Sequence, residues 1–165
     1  MPILDNLQAF LSSTSKTAGR LPGLLALDVS KKSIGVAGAD AGWELATPLL
    51  TIKRTKLRIE IQRLEALLHQ REAACLVIGL PLNMDGSEGP RCQAIRQFAA
   101  DLDKALALPI LLWDERLTTA AAERVLLEAD TSRARRAEVI DKMAAAIILQ
   151  SALDRLAIDP DRDQA

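Results

Sequence analysis

Three places along the chain put carboxylates where a charge is costly, and together they suggest phosphodiester chemistry. Asp28 interrupts the apolar run Leu24-Leu25-Ala26-Leu27-Asp28-Val29. An isolated carboxylate taken out of water stays ionised only with a cation or hydrogen-bond donors beside it. Asp114-Glu115-Arg116 follows the apolar Pro109-Ile110-Leu111-Leu112-Trp113 directly. Asp141 stands beside Ile140 and near Met143, with Ala144 and Ala145 three and four residues on, along one helical face. Oxygen donors of this kind suit Mg²⁺, which usually keeps several waters. Two such ions can generate hydroxide and stabilise the leaving oxygen of a phosphodiester. Each acid alone also fits a plainer role: a strand-end ion pair for Asp28, pairing with Arg116 for Asp114 or Glu115, pairing with Lys142 for Asp141.

Competing chemistries find little support. The sole histidine, His69, falls in a charged amphipathic helix and reads as a surface residue, so no Ser–His pair is available. Cys75 and Cys92 are far apart, lack metal-ligand spacing and read as reduced thiols. The segment Gly79-Leu80-Pro81-Leu82-Asn83-Met84-Asp85-Gly86 contains turn chemistry and no P-loop lysine motif. Its position after an apolar run makes Asn83 and Asp85 candidates for contact with substrate or metal.

The elements that must carry these acids follow from hydrophobic periodicity. Leu24–Val29 and Ala74–Gly79 are continuous apolar runs, as strands covered on both faces require. Ser33–Gly38, Leu45–Ile52 and Pro109–Trp113 read as three further strands, with Pro48 best placed near a sheet edge. Leu57, Ile61, Leu64 and Leu68 mark one helix; Ile95, Phe98, Ala99 and Leu102 mark another, with Pro90 tolerable in its first turn. Helical segments over 119–129 and 135–156 complete the order β-β-β-α-β-α-β-α-α. An antiparallel meander followed by β-α units predicts a mixed five-stranded α/β sheet flanked by helices. That order suits the ribonuclease-H architecture and other α/β folds as well. If the first and fifth strands run parallel, Asp28 and Asp114-Glu115 open onto one edge, where ligands gather in such sheets.

The bulk numbers agree with one domain. The chain has 165 residues, 49% hydrophobic and 26% charged, enough for a real core; aromatics at 2% make that core aliphatic. Residues 1–21 read as an N-terminal appendage, 22–156 as the domain and 157–165 as a polar tail. No secretory pattern opens the chain and no apolar stretch approaches the ~20 residues of a membrane span, so a soluble cytoplasmic protein is expected. A formal net charge of −1 argues against a generic polyanion binder. Bases at the rim with acids at the centre would still hold a phosphate backbone. Lys31, Lys32, Arg54, Lys56 and Arg58, with Arg133, Arg135 and Arg136, are the candidate phosphate contacts.

Four ordered segments carry a family resemblance covering about residues 22–156. Leu27-Asp28-Val29-Ser30-Lys31-Lys32-Ser33-Ile34-Gly35-Val36-Ala37, Val77–Gly86, Trp113-Asp114-Glu115-Arg116-Leu117-Thr118-Thr119 and Val139-Ile140-Asp141-Lys142-Met143-Ala144-Ala145 resemble the YqgF-type family. Its members are pre-16S rRNA nucleases, also described as Holliday-junction-resolvase-like proteins. Glu123 and Leu127-Glu128-Ala129-Asp130 fit the run between the last two segments. The resemblance implies a ribonuclease-H-like fold, Mg²⁺- or Mn²⁺-dependent phosphodiester hydrolysis and maturation of the 5′ end of 16S ribosomal RNA. It implies Asp28, Glu115 and Asp141 as catalytic, metal-ligating acids; from charge and position, Lys31, Lys32, Asn83, Asp85 and Arg116 are the candidate nucleic-acid contacts. The chain departs from the family at Ser30, usually Gly, and at Ser33, often Arg or Thr. Related junction resolvases carry an acid near the end of the fourth strand, where this chain has Gly79-Leu80-Pro81. Asp114 and Asp85 therefore stand beside Glu115 as candidates for the additional ligand. Branched DNA is the alternative substrate to structured pre-rRNA, and a non-catalytic ribosome-assembly factor is the alternative to an enzyme.

Overall fold

From Gly23 to Val29 every residue is buried or half-buried, the pattern of a strand sandwiched between two layers. The computed structural model describes residues 3–4, 6–14, 20–118 and 133–158, with the backbone alone for 3–4, 7–8, 133–141 and 158. Its elements are β1 (Ile3–Leu4), α1 (Leu7–Ser13), β2 (Gly23–Val29), β3 (Ser33–Ala39) and β4 (Ala46–Lys53). Then come α2 (Leu57–Gln70), β5 (Ala73–Leu80), α3 (Pro90–Leu106), β6 (Ile110–Asp114), a 3₁₀ turn (Glu115–Leu117) and α4 (Arg133–Ile158). The helical segment expected over 119–129 lies outside the described residues.

The sheet order is β1-β6-β5-β2-β3-β4. β2, β3 and β4 form the expected antiparallel meander, while β2, β5 and β6 run parallel to one another. All five expected strands are present, and a sixth is added: the two residues of β1 pair in parallel with β6. So short a strand has no periodicity to announce it. Residues 1–21, expected as an appendage, also place Phe10 and Leu11 in the core, at 0% and 1% exposure. Pro48 lies on the edge strand β4, opposite Ala37, where the register shifts and a missing N–H is tolerated.

Alternation along the strands divides the core into two layers. Leu24, Ala26, Cys75, Val77 and Leu111 face α4, packing on Ala145, Ile148, Leu149, Ala152 and Leu156. Leu25, Leu27, Leu76, Ile78 and Leu112 face α2 and α3, packing on Leu64, Leu68, Ile95, Phe98 and Leu102. With few rings available, aliphatic side chains fill both layers. The main aromatic contact stacks Phe10 on Trp43, whose indole N–H donates to the Pro22 carbonyl at 2.8 Å. Cys75 and Cys92 are both free and buried, and burial pushes the Cys75 thiol up to about 12. Among the described residues no helix is long and apolar enough to cross a membrane.

Candidate active site

The register of the three parallel strands brings the acids level. Leu27 pairs with Ile78, so Asp28 comes next to Gly79; Gly79 pairs with Trp113 and Leu80 with Asp114. β5 lies between β2 and β6, so an acid following β6 can approach Asp28 only by crossing β5. Gly79 is what allows the crossing. A Cβ there would lie 2.6 Å from Glu115 Oε1 and 2.6 Å from Ile148 Cδ1, so the Glu115 carboxylate occupies the space a side chain would fill. Gly79 shares the strand parity of Cys75 and Val77, which places this event on the α4 face of the sheet.

The electrostatics follow from that placement. Loss of solvent raises Glu115, and the negative charge of Asp28 raises it further. Arg91 opposes them, but the carboxyl is still pushed from 4.5 up to about 7. Arg91, in the first turn of α3, donates Nη2–H to the Val29 carbonyl at 3.0 Å, beside Asp28. Nothing in the spacing of Pro90-Arg91 singled this residue out, since a base in a polar loop reads as a solvated one.

The neighbouring acids are engaged differently. Asp114 accepts from Arg116 through Nη2 at 2.8 Å and from the Arg116 backbone N–H at 2.9 Å. The hydrogen bonds from the guanidinium hold its carboxyl below the usual range. Arg116 also donates to the Met84 carbonyl at 3.2 Å, so it ties the 3₁₀ turn to the loop after β5. Within that loop Asp85 accepts from both the hydroxyl and the backbone N–H of Ser87, which lowers its pKa. Asn83 Nδ2 donates to Ser87 Oγ at 3.0 Å, and Gly86 supplies the positive φ of 88° that closes the turn. Asn83, Asp85 and Arg116 therefore shape the loop beside the site.

Lys31 and Lys32 are exposed in the turn joining β2 to β3. The two departures from the family meet in this turn. Ser30 Oγ donates to the Ser33 carbonyl at 3.0 Å and accepts from the Ser33 N–H at 3.1 Å. Ser30 has no positive φ, so a side-chain staple replaces glycine's freedom without backbone strain. Arg54, a candidate phosphate contact, is held by buried Glu60 at 2.8 Å and by the Ser30 carbonyl at 2.8 Å.

Asp141 belongs to α4, and its side chain lies outside the described residues. Ile148 of that helix reaches Gly79, while Gln150 Oε1 accepts from the Ala46 N–H at the far edge of the sheet. The helix therefore carries position 141 past Ile148, by about 10 Å at 1.5 Å per residue, toward the carboxyl edge. Among the described residues no group of three metal-ligating side chains is complete.

Comparison with known proteins shows the family and the fold. The family model described as "RuvX: Holliday junction resolvase" matches residues 23–155. A protein of Roseobacter denitrificans described as "Putative pre-16S rRNA nuclease" is 55% identical over 153 residues, 90% of this chain and 94% of its own. One of the same description from Rhodospirillum rubrum is 59% identical over 134 residues, 81% of this chain and 83% of its own. The RuvC structure from T. thermophilus in complex with a Holliday junction substrate aligns with TM-score 0.54 at 12% identity. It covers 83% of this chain and 97% of that one, a likeness of fold.

Proposed function

Because the chain belongs to the RuvX family, we propose that it is a divalent-metal-dependent nuclease that hydrolyses phosphodiester bonds of structured RNA, acting on the 5′ end of pre-16S rRNA in the cytoplasm. One observation supports this most: the Glu115 carboxylate passes over Gly79 toward Asp28, leaving two like charges in a partly desolvated place. Like charges held this close raise the Glu115 pKa, and they suit a site that a hard cation completes. The donors are all oxygen, which fits Mg²⁺ or Mn²⁺ better than zinc. Asp28 and Glu115 would hold the metal, with Asp141 joining from α4. Residues 22–156 would form the nuclease body, with 1–21 an N-terminal appendage that contributes β1 beside β6, and 157–165 a polar tail.

Bound there, a divalent ion supplies a lowered pKa for water and neutralises charge on the leaving oxygen. The protein's own residues supply orientation and proton control. Without metal the Glu115 carboxyl is pushed up to about 7, so a cation binding there would displace its proton near neutral pH. Arg91 and Lys31 border the acids and would receive the non-bridging phosphate oxygens. The Arg116–Asp114 pair fixes the 3₁₀ turn that delivers Glu115.

The test is cleavage of a precursor 16S fragment by purified protein in Mg²⁺ or Mn²⁺, with the Asp28→Asn variant alongside. Wild-type cleavage lost in a folded variant supports the proposal; undiminished cleavage by the variant refutes the site. Preferential cutting of a four-way DNA junction, which the family's description favours, would move the substrate from RNA to branched DNA. Tight binding that survives chelation, with no turnover under either metal, would replace the enzyme by an assembly factor.

A further inference from the structure

Beside the acids, between the β2–β3 turn and the first turns of α3, lies a cavity of about 470 Å³. That is within the range of small-molecule clefts, roughly 300–1,000 Å³. Its walls carry Lys31, Arg54 and Arg91, and no acidic residue lines it, although the chain as a whole is slightly acidic. Its floor is apolar, with Ile95 and Phe98 from α3 and Pro81 from the loop after β5. Two further cavities differ. One of about 560 Å³ is lined by Glu88 and Asp114 among others, and one of about 290 Å³ lies around Gly23 and Arg71, at the start of β2.

Arg54 gives the cavity a built surface. Its Nε donates to Glu60 Oε2 at 2.8 Å and its Nη1 to the Ser30 carbonyl at 2.8 Å. Its Cζ lies 5.3 Å from the centroid of the Phe98 ring. Glu60, at 1% exposure, also accepts the Thr55 N–H at 2.8 Å, which locks the pair. The guanidinium is thus fixed before any ligand arrives, while its side chain keeps 29% of its exposure. A planar cation ordered in advance stacks on a base without losing rotamer freedom. The cavity lies on the α3 side of the sheet and meets the acids at its carboxyl edge, since Val29 follows Asp28 and Arg91 both lines the cavity and acts on Glu115.

We propose that this cavity is a nucleotide subsite: it receives one unstacked nucleobase of the strand whose scissile phosphate faces Asp28 and Glu115, with Lys31 and Arg91 on the adjoining phosphate. The subsite rests on the nuclease reading above. It selects a locally single-stranded or distorted backbone, because a base held in a duplex stack cannot enter.

The test uses the uncleaving Asp28→Asn protein in Mg²⁺ and single-stranded oligonucleotides. Each carries 2-aminopurine or an abasic residue at successive positions around the cleavage point. At one position 2-aminopurine emission should change on binding, and the abasic residue there should weaken binding about tenfold, in line with stacking on a protein surface. Ala94→Leu, at an exposed α3 position lining the cavity, should weaken the intact oligonucleotide to the abasic level and leave the abasic one unchanged. Leu is a good helix former, so folding is retained. Equal binding of intact and abasic strands at every position would overturn the subsite while leaving the nuclease reading in place. Equal weakening of both strands by Ala94→Leu would do the same. Failure of every oligonucleotide to bind either wild type or Asp28→Asn would overturn the subsite and the nuclease reading together.

Discussion

Two glutamates withdrawn from water in this molecule meet opposite fates. Glu60 is 1% exposed and its Oε2 takes both the Arg54 Nε–H and the Thr55 N–H. Glu115 is half-buried, forms no ion pair among the described residues, and faces the negative charge of Asp28. Burial at Glu60 is compensated through Oε2 by partners in the connection between β4 and α2, although Oε1 accepts no hydrogen bond among the described residues, so the acid serves the architecture. Burial at Glu115 is left in deficit, and the deficit is an affinity for positive charge. Compensation, more than burial, separates a structural carboxylate from one held ready for chemistry.

Substitutions can break this contrast, and the largest effect belongs to Asp28. Replacing it by Asn removes a proposed ligand and should lower cleavage by more than about a hundredfold, beyond what an outer-shell change costs a metal site. Circular dichroism and thermal melting should remain near wild type.

Gly79→Ala comes next. Its methyl meets two flexible side-chain ends, Glu115 Oε1 and Ile148 Cδ1, so the fold should adjust at a cost on the order of 1–2 kcal/mol. Glu115 must leave its place to make room. Turnover should therefore fall about tenfold or more, well out of proportion to the small drop in Tm, and Mn²⁺ affinity should fall with it. A variant with wild-type turnover would show that Glu115 does not need to cross β5.

A smaller effect concerns pH and stability. Glu115 binds a proton more tightly folded, near 7, than unfolded, near 4.5. The folded state therefore holds more protons between those values, and stability of the metal-free protein should decline as pH rises from 5 to 8. Adding Mg²⁺ at pH 8 should restore the loss, and Glu115→Gln should flatten the dependence. Glu60→Gln should do the reverse of Glu115→Gln at neutral pH. It should lower Tm by weakening the hold on Arg54, at a cost on the order of 1–3 kcal/mol, and leave metal affinity unchanged.

Much of this was visible in the sequence for a physical reason. Strands covered on both faces need unbroken apolar runs, so Leu24–Val29 and Ala74–Gly79 revealed both themselves and the misplaced Asp28. Asp114 and Glu115 were legible as a pair because they follow the apolar run of β6, but their division of labour was not. It depends on Arg116 folding back onto Asp114 and on the gap at Gly79, and both are tertiary facts. β1 escaped notice because two residues show no alternation. The hold of Glu60 on Arg54 was not legible, because it forms only once α2 is packed against the sheet. Arg91 carried no local signal at all.

The central claim is that Asp28 and Glu115 share one electrostatic site, and titration of the Glu115 side-chain carboxyl by ¹³C NMR tests it most directly. In the metal-free wild type the midpoint should lie near 7, and Asp28→Asn should lower it while saturating Mg²⁺ depresses it in the wild type. A midpoint that ignores both the substitution and the metal would mean that the two carboxylates act apart, and the account would fail.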